Sequence, residues 1–405
     1  MMKLPKINKK LKLKAKKVFG WVAIFGIFFL IPLIVPSLIV LWQEKQDLVS
    51  HVNQSESEKV NLKKQSILMN QELEALKSED QRVRNNLLEE EIENIQETYQ
   101  QSVKTYENLL SLKEKTDKTE KFDDQYSEAL SLLSKRNYAS ASAIFVSLGK
   151  AIDKEQASLA AKFEIPANVP EQNAPPSSGY RRQKVRTDLG TFLVSIVTAD
   201  LNSARVVVDT AAESDCHNDC PVESLSTFAS RNGAFAGING SYFCPASYPS
   251  CADKKNSFDT LLMNKNKVYF NSDNNVYSTV PVAAFYGNTA RFMAQSLEWG
   301  RDTGVDAVIA NRPLLVHNGN IVFTGGGQPK EGARGGRSFI GATGSTVYIG
   351  VVHSATVAES AKALHTLGIQ NAINLDNGGS TALWSGGYKV GPGRNLANAV
   401  LLVRK

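Results

Sequence analysis

The sequence predicts an α+β C-terminal domain with a strand-dominated core, preceded by a transmembrane helix and an α-helical coiled-coil stalk. Three observations predict it. Val18 to Trp42 is a run of 25 uncharged residues, and the segment after it is polar, poor in Gly and Pro, and rich in Glu, Lys, Gln and Leu. Beyond a proline-rich stretch the chain changes to short β-branched runs bounded by Gly, Asn and Asp. A length of 405 residues exceeds that of one ordinary domain, and 42% hydrophobic content is ample for a core.

Residues 1–17 form a basic tail. They hold eight lysines and no acid, so the formal +6 of the chain belongs to this tail and the remainder is slightly acidic. A basic face on the folded part is therefore not expected, and nucleic acid is excluded as a partner. Residues 18–42 are long enough to cross a hydrocarbon core of ~30 Å as a tilted helix, with Pro32 and Pro36 as kinks. A cleaved signal peptide would have a shorter apolar region and a small-residue cleavage site. The expectation is a single-pass protein of the cell membrane, held through residues 18–42, with its N-terminus cytoplasmic and its C-terminal domain outside.

Residues 43–115 read as an interrupted coiled-coil stalk. Leu62, Met69, Leu73, Leu76, Val83 and Leu87 follow steps of three, four or seven, and Ile92, Ile95, Tyr99, Tyr106 and Leu109 resume after a phase break. Such a stalk would make the chain a homo-oligomer. A long solvated helix is the competing reading, because Ser66, Asp80 and Glu90 fall at core-phase positions. Residues 116–163 read as a helical hairpin broken around Arg136-Asn137. The hairpin resembles one tetratricopeptide unit, but one unit cannot stack a solenoid. Residues 164–179, with four prolines, read as a linker.

The domain of residues 180–405 alternates strands with turns. The strand signals are "TFLVSIVTADL", "ARVVVDTA", "AFAGINGSYF", "NKVYFN", "AVIANRPLLVHNGNIV", "SFIGATGSTVYIGVV" and "NAVLLVRK". "VAESAKALHTLGI" is the clear helix, with Gly368 as its stop. All four cysteines, Cys216, Cys220, Cys244 and Cys251, fall within 36 residues here. An even, clustered set in an exported chain reads as two disulfides with three pairings open. Zinc is the weaker reading, since neither cysteine pair has knuckle spacing.

"INLDNGGSTALW" (373–384) places one carboxylate, Asp376, at the end of an apolar strand and ahead of glycines that permit close backbone approach. Such a junction can set an acid beside free backbone N–H groups, where a sugar-phosphate oxygen would fit. Alone, Asp376 could equally be a turn cap. It is accompanied, in order, by "GAFAGINGSYF" (233–243), "ANRPLLVHNGNIV" (310–322), "GGRSFIGAT" (335–343) and "RNLANAVLL" (394–402). With these five landmarks, residues 187–405 resemble the phosphodiester glycosidase family, hydrolases of phosphate-linked sugars.

The resemblance implies a pocket lined by Asn239, Arg337, Asp376, Gly378, Gly379 and Ser380, with Asn239, Gly378, Gly379 and Ser380 binding substrate. Two positions depart from the family pattern: Asn377 stands where a glycine is usual, and Ser241 stands where a second glycine is usual. The leaving group of a sugar-1-phosphodiester is already a stable phosphate, so the site needs stabilisation of phosphate and a carboxylate for the anomeric carbon. Arg337 suits the first task and Asp376 the second. His353 could donate to phosphate or act as an acid, or be a satisfied structural histidine. Asp259 and Glu331 could supply a second carboxylate, or be solvated loop residues. "TGGGQPKEGARGG" (324–336) reads as a loop at the pocket mouth.

The expected function is an exported, membrane-anchored hydrolase of a sugar-1-phosphodiester in glycan or envelope substrates. The alternative is a non-catalytic envelope protein that binds phosphorylated glycans on a coiled-coil scaffold. No cofactor is implied, and a divalent metal is left open.

Overall fold

The computed structural model describes residues 23–77, 80–271, 279–301, 304–326 and 328–405, with side chains from Trp42 onward except those of residues 80, 81 and 329. The chain divides into two compact units, with the boundary after Glu91. The first holds α1 (Ala23–Lys77) and the start of α2 (Asp80–Lys113). Along α1 the stripe expected for a coiled coil, including Leu62, Met69, Leu73 and Leu76, is exposed.

The expected membrane location is overturned. Among the described residues no helix is long and apolar enough to cross a membrane. The described side chains of α1 begin at Trp42, from where the helix is dominated by Gln, Glu, Lys and Ser. The basic tail and Val18–Val22 lie outside the described residues.

The second unit opens with a small helical bundle. The end of α2 packs Leu109 and Leu112 against Leu148 and Ile152 of α4 (Tyr138–Ala161), while Ala129 and Leu133 of α3 (Glu120–Ser134) meet Ala141 and Phe145. The break between α3 and α4 falls at Arg136, which takes φ 60°, and Asn137 caps α4 by accepting from the Ser140 N–H at 3.2 Å. Residues 164–179 do not hang free. Gln172 N–H donates to Lys184 O at 2.9 Å, and the Gln183 side chain donates to Gln172 O and Ala174 O.

Three sheets follow, and the α+β class expected from the sequence holds. The first has seven strands in the order β1 (Gly179–Thr187), β2 (Gly190–Asp200), β13 (Thr346–Ala355), β12 (Gly335–Thr343), β14 (Asn371–Asn374), β10 (Leu314–His317) and β11 (Asn320–Ile321). The second runs β16 (Tyr388–Val390), β15 (Leu383–Trp384), β4 (Ala236–Asn239), β17 (Asn398–Arg404), β3 (Ala204–Thr210). The third runs β6 (Tyr269–Phe270), β5 (Leu262–Met263), β9 (Ala307–Ala310), β7 (Val282–Tyr286), β8 (Thr289–Met293).

β2 is buried continuously from Phe192 to Ala199, as a strand covered on both faces must be. On one face Val197 joins Ile349, Ile238, Leu401, Phe285 and Ile309 in the core shared by all three sheets. On the other, Val194 and Phe339 pack with Val357, Ala361 and Leu364. Those last residues belong to a helix that runs Val357–Thr366, opens on a Thr356/Glu359 capping box and stops at Gly368 with φ 77°. A further helix, Leu225–Arg231, lies against β4.

The cysteines pair as Cys216–Cys220 and Cys244–Cys251. The second bridge closes a short loop directly after "INGSYF". Among the described residues no group of three or more His, Cys, Asp or Glu is arranged to hold a metal ion.

Candidate functional site

The site forms where two sheets meet end to end. Leu375 N–H donates to Ser338 O at 2.8 Å, continuing the pairing of β14 with β12; the next N–H, of Asp376, donates instead to Gly240 O at 2.9 Å, just after β4. Asp376 therefore leaves one sheet and joins the other, and its side chain is presented at the junction.

Asn239 holds that junction. It is fully buried, its amide donates to Asp376 O at 2.6 Å, and its carbonyl oxygen accepts from Ser338 Oγ at 2.8 Å and from Ala382 N–H at 3.1 Å. Expected to bind substrate, Asn239 here spends its polar atoms on the protein and shapes the turn. Neither departure from the family pattern disturbs it. Asn377 has φ −128°, an extended conformation open to any residue, and its Oδ1 accepts from Ser338 N–H at 2.9 Å. Ser241 is buried, and its N–H donates to Asn398 Oδ1 at 2.8 Å. The left-handed residue of the turn is Gly378, at φ 62°.

The Asp376 carboxylate is half-buried. Its Oδ1 accepts from Asn377 N–H at 2.8 Å, and Ser380 hydrogen-bonds to the same carboxylate. Burial raises its pKa to about 6, against the opposing pull of the Ser380 hydrogen bond and the Arg394 charge, while Asp259 adds to the rise. An acid poised there can exchange its proton near neutral pH. Asp259 is itself held above the ordinary carboxylate range by burial, against the charges of Lys254 and Arg312. Of the two second carboxylates considered from the sequence, Asp259 is thus the one that acts on Asp376. Glu331 acts on Tyr242 and Arg337.

Two arginines differ sharply. Arg337, the one expected at phosphate, is only 7% exposed; it donates from Nε to Ala355 O at 2.9 Å and from a terminal nitrogen to Lys330 O at 3.0 Å and to Ala333 O. It fastens the end of β13 to the turn at Pro329–Gly332, inside the expected mouth loop, of which Gly327 lies outside the described residues. Burial lowers its pKa.

Arg394 stands 20% exposed beside Asp376. Its backbone N–H donates to Gly379 O at 2.7 Å, locking it to the glycine turn. Its guanidinium lies 5.4 Å from the Tyr248 ring centroid, hydrogen-bonds to the Tyr248 hydroxyl and pairs with the carboxylate of Glu114 from the turn after α2. Burial works against the charge, but Glu114, Tyr248 and Asp376 together hold its pKa above the usual arginine value. Tyr248 lies within the Cys244–Cys251 loop, and its phenol is pushed up by burial. Tyr242, also pushed up by burial, accepts at its hydroxyl from Asn374 Nδ2 at 2.9 Å.

His353 is set apart from this cluster. Its Nε2 is 2.9 Å from Ser195 Oγ, its ring stacks on Phe163 at 6.3 Å, and burial lowers its pKa to about 4. It lines a different cavity of about 810 Å³ between the end of α4 and β2.

Sequence reasoning named Asp376, Gly378, Gly379 and Ser380, which the structure brings together, but missed Arg394, Tyr248 and Glu114. Arg394 was legible as a basic residue following the "GPG" turn within a landmark. Tyr248 was legible as the aromatic inside a short cysteine loop. Nothing in the sequence near Glu114 points to the site.

Residues 232–403 match the phosphodiester glycosidase family. Among solved structures, the chain resembles a hypothetical protein from Synechocystis at 14% identity and a TM-score of 0.45, over 56% of this chain and 62% of that one. The chain thus spans less than two thirds of that protein's length. It also resembles the zebrafish N-acetylglucosamine-1-phosphodiester alpha-N-acetylglucosaminidase catalytic domain, at 14% identity and a TM-score of 0.44, over 58% of this chain and 87% of that one. No curated protein matches the chain in sequence. All five sequence landmarks fall inside the matched residues, so the similarity to the phosphodiester glycosidase family rests on residues 232–403.

Proposed function

We propose that the chain hydrolyses a sugar-1-phosphodiester, with Asp376 serving the anomeric carbon and Arg394 engaging the phosphate. One observation carries this reading: a carboxylate with a pKa near 6 stands beside a partly exposed arginine at a glycine turn. Arg394 presents a planar fork suited to phosphate oxygens, and Tyr248 and the backbone of Gly378 and Gly379 complete a wall around it.

Asp259 is the second carboxylate in this reading. It adds to the rise that burial gives the Asp376 pKa and lies on the chain that follows the Cys244–Cys251 bridge. Arg337 braces the pocket through main-chain carbonyls, and His353 is a structural histidine. The two disulfides support folding where thiols are oxidised. The test is turnover of a panel of sugar-1-phosphodiesters by the full chain. Release of free sugar and a phosphate monoester is the expected result, and no release from any member of the panel would refute the activity.

A further inference from the structure

The carboxylate of Glu114 occupies the place that the proposed reading gives to the substrate phosphate. Glu114 lies far outside the matched residues 232–403, in the turn that closes α2. It pairs with Arg394 across 280 residues of sequence. It also rests on the glycine turn: a Cβ added at Gly379 would run into the Glu114 carboxylate, and one at Gly378 would come within 3.7 Å of it. Its charge raises the pKa of Tyr248. An anion paired with Arg394 and lying over Gly378–Gly379 is what a phosphate would be there.

The placement is built rather than incidental. Leu109 and Leu112, just before Glu114, are fully buried in the helical bundle, and Lys113 pairs with Asp123 at 2.7 Å. Lys115 Nζ donates to Gln156 Oε1 at 3.3 Å, and Glu107 Oε1 accepts from Ser250 N–H at 3.2 Å, two residues from Tyr248. The backbone at Glu114 is thus fixed at the mouth. Its side chain and that of Arg394 are 28% and 20% exposed, so the pair can part by side-chain rotation without unfolding.

We propose that Glu114 is a specificity-determining residue, an internal counter-anion that a ligand must displace from Arg394. The inference rests on the proposed reading of Arg394 as the phosphate contact. A neutral sugar offers Arg394 nothing in exchange for the carboxylate, whereas a phosphate group replaces it with a bidentate partner. The ligand class admitted is therefore phosphate-bearing sugars, and the apparent affinity for them is lowered by the fraction of molecules in which Glu114 holds Arg394.

The test is calorimetric titration of the full chain with glucose 1-phosphate and with inorganic phosphate, at one pH and low salt. Partly exposed pairs are worth up to about 1 kcal/mol, so Glu114→Gln, which keeps the shape and removes the charge, should tighten both by about fivefold. Arg394→Ala should abolish binding, and adding Glu114→Gln to it should restore none. Glu97→Gln, an equal charge change at an exposed position of α2, should leave affinity within about twofold. Unchanged or weaker binding by Glu114→Gln would overturn the proposal, as would equal tightening by Glu97→Gln. Failure of the hydrolytic reading is separable: it would appear as absent turnover in every variant while the titrations still shift.

Discussion

The side-chain amide of Asn239 donates to the main-chain oxygen of Asp376 at 2.6 Å, across 137 residues of sequence. Asn239 is the last residue of β4, and Asp376 follows β14, so one hydrogen bond ties the two sheets at the point where the carboxylate emerges. Asn239→Ala removes this bond and strands Ser338 Oγ and Ala382 N–H in a fully buried place. A loss of about 1–3 kcal/mol for each stranded group is the expected scale. Urea unfolding should show the lowered midpoint, and turnover should fall even where the variant remains folded, because the turn that aims Asp376 is loosened.

The two arginines should separate by experiment. Arg394→Ala removes a favourable charge beside Asp376, so the Asp376 pKa should rise further and kcat/KM should fall through loss of phosphate contact. Stability should change little, since the guanidinium is partly exposed. Arg337→Ala instead leaves the buried Ala355 O short of a donor and releases the exposed Lys330 and Ala333 carbonyls, and should cost about 1–3 kcal/mol in chemical denaturation. Equal loss of phosphate binding in both variants, with both fully stable, would return the phosphate to Arg337.

Asp376 and His353 titrate in overlapping windows with opposite effects on stability. The folded pKa of Asp376, about 6, lies above its ordinary 3.8, so the folded state binds the extra proton; this contribution is full below 3.8 and lost as pH rises through 6. The folded pKa of His353, about 4, lies below its ordinary 6.5, so its contribution is full above 6.5 and lost as pH falls through 4. The two should nearly cancel between about pH 4 and 6. Asp376→Asn should expose the histidine limb, a stability that falls on acidification, and His353→Gln should expose the aspartate limb, a stability that falls as pH rises. Denaturation midpoints across this range check both signs.

Strands with β-branched cores were legible because their own side chains dictate burial: "TFLVSIVTADL" became β2, and "NAVLLVRK" became β17. β1, "GYRRQKVRT", was not legible. Its charged residues carry no strand pattern, and it is held by pairing with β2 along its whole length. The turn at Asp376 was readable because glycine and carboxylate requirements are local. Arg337 and Arg394 could not be ranked, because both sit in basic, glycine-rich surroundings and only the partners of each guanidinium distinguish them. Glu114 was beyond reach for a further reason: a glutamate in a lysine- and glutamate-rich helix looks solvated until the bundle carries it to the site.

The Cys244–Cys251 bridge should matter for the site and the Cys216–Cys220 bridge chiefly for stability. Each closes a short loop, for which about 2–3 kcal/mol of stabilisation is the usual scale. Only the first encloses Tyr248, whose ring and hydroxyl touch Arg394. Replacing Cys244 and Cys251 together by Ser should lower kcat/KM well below the value left by replacing Cys216 and Cys220, at matched folded fraction. Mass spectrometry of the untreated protein should find no free thiol, and four free thiols would remove the disulfides from the account.

The bond that breaks distinguishes the proposed reaction from the other hydrolysis the same pocket could perform. If Asp376 serves the anomeric carbon, the sugar C1–O bond is cleaved, the phosphate leaves with the bridging oxygen, and oxygen from water ends on the sugar. Attack at phosphorus, with Arg394 holding the same group, would place water oxygen on phosphate instead. Hydrolysis in oxygen-18 water, followed by mass analysis of both products, should put the label in the sugar. Label in the phosphate would overturn the glycosidase mechanism even with full activity. Asp376→Asn keeps the shape of a side chain bonded to Asn377 N–H and should leave the fold intact. It should remove most turnover, by about 100-fold or more if the carboxylate acts as base or nucleophile. Unchanged turnover in that variant would make Asp376 a turn cap and move the chemistry to Asp259.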